Sequence, residues 1–525
     1  RSNGTLRTGH LNAPGSGAAV TVNSGGTLVL GAAHTNQILL AGGTLGTTVT
    51  LNPAPMSVTA AASTTSTLYI ADPQNLLTPT DGIEVNFTNS WHGAGTVIVA
   101  TVFNDPSPDG GSGFRLRGTE VSTFSGTLIL SNRVKGELQT SVAGPFSPAG
   151  TGKIVLQGGV LTNNTLNGTY SELNLRNNSA GATVFGNDVV VAGTGLVVLD
   201  PLGSAPAGST ITMGNLRIGG GQELGVNLNG TGPDHPVVFQ SVTLTGGDAA
   251  FSPKTPGWNT TPQIGSDLVL NNVGESAPSG IIMAGLRTLT LDGTCTYSGN
   301  TLVNSGTLNL AGTLSGGGTI TVAGGVLAGN GSAAGNLEVN AAGTLTPGTS
   351  IGRLTVGGAV VLQGTNIMEL DRSLGTNDVL QAGASITYGG TLILVNLGAP
   401  YQAGDSFKLF NAGSYLGAFS AVQPATPGPG LRWNLSALNT AGTITVASVQ
   451  PGITNVVVAD GNLTVSGGNG LPNGEYRVLT ATDIGLPAAS WTPTLTNVFD
   501  GNGGFSFTVP VNTSEPQRFF RLQAF

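Results

Sequence analysis

The chain has 525 residues, of which 84 are glycine, 39% are hydrophobic and only 18 are basic and 26 acidic, for a formal net charge of -8 and a pI near 4.9. So little charge beside so many apolar residues excludes a disordered polyelectrolyte, and an acidic balance without a basic patch excludes nucleic acid as a partner. No run of 18 apolar residues is present, so no membrane insertion is expected, while the length leaves room for two or more domains.

The chain starts at Arg1 with no signal-peptide pattern, and the expectation is a product processed from a longer, exported precursor. Cys295 stands alone, so no intramolecular disulfide staples the fold. In Thr294-Cys295-Thr296-Tyr297 it reads as a small buried side chain, with an intermolecular disulfide as the alternative.

A period is present from the first residues. Leu11, Leu28 and Leu45 step by 17, as do Val22, Leu39 and Met56. Between Pro53 and Gly126 the rhythm loosens around a strand-like Ser66–Ala71, an apolar Gly95–Phe103 and a polar loop, Asn104–Gly113, as longer coils with extruded loops would produce. Ser125–Leu130 and Lys153–Leu156 restore turn followed by strand. Asp188–Val191, Gly195–Leu199, Val237–Leu244, Asp267–Leu270 and Thr288–Leu291 are short, rich in Val, Leu, Ile and Thr, and bounded by Gly, Asn or Pro. No convincing helix is expected.

The repeat is clearest over residues 303–362. Val303, Ile320, Leu337 and Leu354 are 17 apart and read as one inward apolar column, and Leu310, Leu327, Leu345 and Leu362 as a second. The period is too short for two packed helices and too long for a heptad, and the apolar residues alternate as in strands. The fold class is therefore all-β, a parallel β-helix whose equivalent side chains stack from coil to coil. It is expected over residues 1–372.

Near Asp371 the pattern changes. Gly390–Leu397, Asp405–Asn411, a Pro/Gly stretch Pro424–Gly430, and strands around Trp433 and Thr443–Val446 predict the last coils and a cap over residues 373–448. After Pro451 come six short strands, Ile453–Val458, Leu463–Ser466, Tyr476–Thr480, Trp491–Val498, Phe505–Val509 and Phe519–Leu522. Their spacing predicts a small antiparallel sandwich over residues 449–525.

The run from Tyr297 through Ser298-Gly299-Asn300-Thr301-Leu302-Val303-Asn304-Ser305-Gly306-Thr307-Leu308-Asn309 to Leu310, followed by Gly325-Val326-Leu327-Ala328-Gly329-Asn330-Gly331, closely resembles the autotransporter-associated β-strand repeat of bacterial surface proteins. The resemblance covers residues 290–365 best. It implies a right-handed parallel β-helix that is exported and exposed outside the cell. Asn377-Asp378-Val379-Leu380 and Ala403-Gly404-Asp405-Ser406-Phe407 look like the end of such passenger regions. The chain departs from the family by leaving no room for a membrane β-barrel before Phe525, so export by its own barrel is not expected. The C-terminal strands are similar to terminal modules of large secreted bacterial proteins, a similarity that transfers no activity.

Some β-helices cleave polysaccharides with carboxylates clustered on a side face, beside calcium or a basic residue. The best local cluster is Asp105, Asp109, Arg115, Arg117 and Glu120, and its bland reading is a solvated Pro/Gly loop. Asp234-His235-Pro236 reads as a turn. His10, His34, His92 and His235 never approach metal-ligand spacing, no nucleophile elbow follows a strand, and Trp91-His92 reads either as a sugar platform or as packing. No catalytic residue, cofactor or metal is expected, and the chain is not read as an enzyme.

The function expected is an extracellular structural rod that joins end to end with its own copies. Phe505, Phe507, Val509, Phe519, Phe520 and Leu522 of the C-terminal module are the expected contacts, laid along the first coil of the next molecule. The alternatives are an adhesin or glycan-binding surface protein, which brings surface glycans in as partners, and a polysaccharide lyase or hydrolase. The last would require acidic and basic residues stacked on adjacent coils.

Overall fold

A computed structural model describes residues 4–9, 19–32, 34–47, 49–70, 84–100, 113–116, 122–132, 134–140, 144–145, 147–159, 170–177, 182–199, 210–228, 236–253 and 266–524. Their regular structure is nearly all strand, and they fall into two compact units, residues 1–345 with 356–358, and residues 346–355 with 359–525.

In the first unit each strand pairs in parallel with its counterpart one coil later, so that Leu6 faces Leu28, Leu28 faces Leu45 and Leu45 faces Leu68. Further along, Thr96 faces Thr127 and Thr127 faces Lys153, and Thr301, Ile320 and Leu337 follow one another. This is a parallel β-helix. Side chains alternate across each strand, so Leu128 and Leu130 of Thr127–Ser131 are buried while Ile129 between them is not. A second parallel sheet carries Val20–Asn23, Ile38–Ala41, Val58–Ala60, Trp91–Gly93 and Thr123–Phe124. A third set of short strands places Cys295 opposite Leu314, with the cysteine fully buried.

The registers correct the two columns. Thr301, not Val303, faces Ile320; Val303 faces Val322, and Val322 faces Val339. Leu308, not Leu310, faces Leu327. Val22 faces Leu40 rather than Leu39, and Leu11 lies outside the described residues. In the second unit Leu354 lies on the strand beside Val379–Ala382, and Leu362 faces Tyr388. Val303, Ile320, Leu337, Leu354, Leu310, Leu327, Leu345 and Leu362 are all buried. What fails is the alignment, because coil length is not constant. Paired residues are 17 apart at Ile320 and Leu337 and 19 apart at Thr301 and Ile320. They are 31 apart at Thr96 and Thr127 and 35 apart at Ile154 and Val189. Only the strands must be in register, so coils of unequal length can stack on one another.

In the second unit parallel pairing continues beyond the expected boundary at residue 372. Val360–Leu362, Ser385–Tyr388 and Ser414–Gly417 pair in succession, as do Thr365–Asp371, Thr391–Asn396 and Ala421–Gln423. An antiparallel sheet of Ser406–Lys408, Leu431–Asn434 and Thr443–Ser448 follows. With it comes one helical turn, Leu438–Ala441, which the sequence did not lead us to expect and which ends at Gly442 with φ 65. The turn packs on the last two coils: the Tyr388 hydroxyl donates to Leu438 O at 3.2 Å, and Asn439 Nδ2 donates to Gly417 O at 2.9 Å. These contacts cap the coil end.

Asp378 pins the irregular turn in this unit. Its Oδ1 accepts the Gly352 N–H at 2.8 Å and its Oδ2 accepts the Glu369 N–H at 2.7 Å, while the side chain is fully buried. Burial raises its pKa to about 6; the two backbone donors oppose that shift, and the Glu369 charge adds to it. A carboxyl whose pKa is raised on folding binds its proton more tightly in the native state, so its contribution is complete below the unfolded pKa of about 4 and is lost as pH rises through about 6. We expect the second unit to lose up to about 3 kcal/mol over that window. Asp378→Asn should flatten this slope in denaturant melts; parallel slopes for parent and variant would refute the assignment.

The C-terminal strands, numbered β1 (Gly452–Ala459), β2 (Asn462–Gly468), β3 (Glu475–Ala481), β4 (Thr492–Val498), β5 (Phe505–Pro510) and β6 (Phe519–Ala524), match the six expected. They form two antiparallel sheets, β1-β2-β5 and β4-β3-β6. Between the sheets lie Val465, Tyr476, Val478, Phe499, Phe505, Phe507 and Val509, with Leu463, Leu495, Phe520 and Leu522 packed against them. Tyr476 sits 4.7 Å from Phe499 and 5.8 Å from Phe505 between ring centroids. A module this small closes its core with large aromatic side chains.

Candidate functional site

A ladder of charged side chains that pair across neighbouring coils lies on the first unit. Four strands stack in parallel there: Glu84–Phe87, Gly113–Leu116, Lys135–Thr140 and Ser171–Asn177. Their inward positions are apolar and buried, with Val85 and Phe87, Phe114 and Leu116, Leu138, and Leu173 and Leu175. The intervening positions point to the other face of the sheet. There Arg115 sits between Asn86 and Glu137, Glu137 faces Asn174, Lys135 faces Glu172, and Gln139 faces Arg176.

Charge pairing follows the register. Arg115 Nε lies 2.9 Å from Glu137 Oε2 and Arg176 Nη1 lies 3.5 Å from Glu137 Oε1, so one carboxylate bridges two guanidinium groups on neighbouring coils. Lys135 Nζ lies 3.4 Å from Glu172 Oε1. Glu137 is 1% exposed at its side chain and Asn174 is fully buried, whereas Arg115 and Arg176 keep 19% and 17%. A carboxylate so far from water is tolerated only when it is paired. The four strands carry three basic residues, Arg115, Lys135 and Arg176, and three acidic ones, Glu84, Glu137 and Glu172, so the ladder is balanced in charge. Such an arrangement can hold a planar anionic group, as the carboxylate of an acidic sugar would present.

Of the expected cluster only Arg115 belongs to this ladder. Asp105, Asp109, Arg117 and Glu120 lie outside the described residues, as do His10, Asp234 and His235. The ladder's other members were missed because they are spread from Lys135 to Arg176 in sequence and meet only through coil register. A signal was present: a lone charged or amide residue interrupts an apolar pair in Phe114-Arg115-Leu116 and Leu173-Asn174-Leu175.

Of the two readings of Trp91, packing is the one the structure shows, not the sugar platform. Trp91 pairs with Val58 on an inward position, is 1% exposed, and packs against Phe87, Phe114 and Phe124 at ring-centroid distances of 5.1, 6.3 and 6.0 Å. Its neighbour His92 holds Thr123 Oγ1 at 2.7 Å, and His34 is buried with its Nε2 2.8 Å from Thr8 Oγ1. Among the described residues no three His, Cys, Asp or Glu side chains gather as metal ligands would, and no helix is long and apolar enough to cross a membrane.

The expected polymer contacts need a correction as well. Phe505, Phe507 and Val509 are spent inside the module's own core, and Phe520 and Leu522 pack against it. Phe519 is half-buried. The alternation that made β5 look like a sticky strand is the alternation of a sandwich strand with one face inward.

Comparison of the chain with protein-family models and with curated proteins finds no match.

Proposed function

We propose that this chain is an extracellular structural protein, a stacked-coil rod exported to the bacterial surface, where it associates with its own copies into a fibre or matrix. The observation that carries the reading is the unbroken coil-on-coil register through Thr301, Ile320 and Leu337 around an aliphatic interior. Such a stack draws its stability from nearest-neighbour coils and makes a stiff spacer at low sequence cost. The likeness of residues 290–365 to the autotransporter-associated repeat supports the surface location. The C-terminal module is the assembly element in this proposal, and surface glycans are a further class of partner.

Negative-stain microscopy and sedimentation of the full chain, beside a chain lacking residues 449–525, test the proposal. Extended particles that associate with increasing concentration, and single extended particles after the deletion, are expected. Compact particles, or assembly unchanged by the deletion, would refute it.

The charged ladder favours a second reading, recognition or cleavage of an acidic polysaccharide along Arg115, Glu137 and Arg176, because acidic and basic residues do stack on adjacent coils there. A screen for uronate release and a glycan array test it. Silence in both would leave the ladder a purely structural feature.

A further inference from the structure

Tyr401 of the second unit carries a hydroxyl that nothing in the chain satisfies. The residue is 7% exposed, and its phenol oxygen is buried without a hydrogen-bond partner. Such a group is costly to keep and calls for an explanation. The ring meets Phe407 and Trp433 in T-shaped contacts, at centroid distances of 5.6 and 5.2 Å. Both partners stand on the antiparallel sheet that follows the last coils. Trp433 is half-buried, and its Nε1 donates to Pro424 O at 2.9 Å, which fixes the indole.

A set of planar polar groups lies beside these rings. Arg372 Nε is 3.0 and 2.8 Å from the two carboxylate oxygens of Asp405, and Asp405 Oδ2 also accepts the Gln402 N–H at 2.7 Å. Arg372 Nη2 donates to Gln402 Oε1 at 2.5 Å, and Nη1 has no partner among the described residues. The neighbouring Ser373 Oγ accepts the Ala399 N–H at 2.9 Å, which ties the Arg372 turn to the segment leading into Tyr401. Burial, and after it the Asp405 charge, push the Tyr401 hydroxyl up to about 12, so the phenol keeps its proton and lies in the field of that carboxylate.

We infer that this corner binds a neutral sugar unit, an assignment that rests on surface glycans being a class of partner as proposed above. Asp405 holds the guanidinium at Nε, and Nη1 and Nη2 serve two neighbouring sugar hydroxyls. The oxygen on Nη2 takes the place of Gln402 Oε1. Gln402 is exposed, so its side chain can leave for solvent, and one sugar hydroxyl then pairs with the Tyr401 hydroxyl. A sugar hydroxyl both donates and accepts, so it can take a guanidinium N–H and still satisfy the phenol. The apolar face of the sugar ring lies against Trp433, the usual division of a small-molecule site between apolar wall and a few placed polar groups. Charge selects a neutral ligand. Asp405 already offsets Arg372, and Asp371 adjoins it in the chain, so an acidic sugar would meet two carboxylates for one guanidinium.

The test titrates the full chain, by calorimetry and tryptophan fluorescence, with dextran, xylan, mannan and galactan as neutral probes and with alginate and polygalacturonate as acidic ones. At least one neutral polymer should bind and change the fluorescence. Tyr401→Phe should weaken that binding about tenfold, the scale of one hydrogen bond, without lowering the melting temperature of the free protein, because the hydroxyl has no partner to lose. Trp433→Phe should abolish the fluorescence response and Trp491→Phe should keep it, while Gln402→Ala should bind at least as tightly as the parent. A Tyr401→Phe protein that melts lower and binds every probe as the parent does would assign the hydroxyl to a bound water only, and the inference would fall. An acidic probe captured more tightly than any neutral one, and released by Tyr401→Phe, would overturn the choice of a neutral ligand. Neutral binding that survives both Tyr401→Phe and Trp433→Phe would remove this corner and leave glycans as partners elsewhere on the chain, whereas silence of every probe would remove both.

Discussion

Replacing Leu337 by Asp is expected to destabilise the first unit by several kcal/mol, the largest effect of any single substitution considered for it. Leu337 is fully buried and lies directly opposite Ile320, itself 1% exposed. An aspartate there would be buried among apolar side chains, so it either stays protonated or drives the strands apart. The coils on each side lose a packing partner as well, because a solenoid is stabilised chiefly between neighbours. Leu337→Val should cost only about 1 kcal/mol by comparison, the usual scale for trimming a buried methylene. Thermal and urea melts of the three proteins check this order. An Asp variant that melts with the parent would show that position 337 does not face the interior.

The second large effect is expected at Glu137. Glu137→Gln removes the carboxylate that Arg115 and Arg176 share across adjacent coils. Breaking a buried ion pair from one side costs about 3 to 5 kcal/mol, and the lower end applies because both arginines retain some contact with water. Replacing all three residues together with apolar residues of similar size should return most of that loss, since the uncompensated charge is then gone. Urea unfolding of the single and triple variants measures both steps. A loss below about 0.5 kcal/mol for Glu137→Gln would mean that the ladder contributes no more than an exposed pair. The triple variant also bears on function: if it folds and still binds every acidic polysaccharide that the parent binds, the ladder is not the site.

Element identity was legible where a strand's own residues settle it. The six strands of the C-terminal module and their antiparallel pairing follow from short alternating segments between turn residues, and such segments need only local information. The inward burial of Ile320, Leu337 and Leu354 follows from the same alternation. The sites were harder to read. Packing is the favoured reading of Trp91 and a platform the lesser one, but an aromatic ring beside a histidine carries no sign of which face of the sheet it occupies.

The sequence by itself determined that this chain is a β-solenoid with an appended β module, because a short apolar period with glycine punctuation has few other ways to bury its side chains. Tertiary structure alone decided which residues face one another. Coil lengths vary from 17 residues at Ile320 and Leu337 to 39 at Gly144 and Thr183, and a register summed over unequal coils cannot be read from a fixed step. For that reason the Arg115–Glu137–Arg176 ladder emerged only once the coils were stacked. Likewise, β5 emerged as a core strand only once the two small sheets were laid together, because a strand's exposure depends on what the opposite sheet covers.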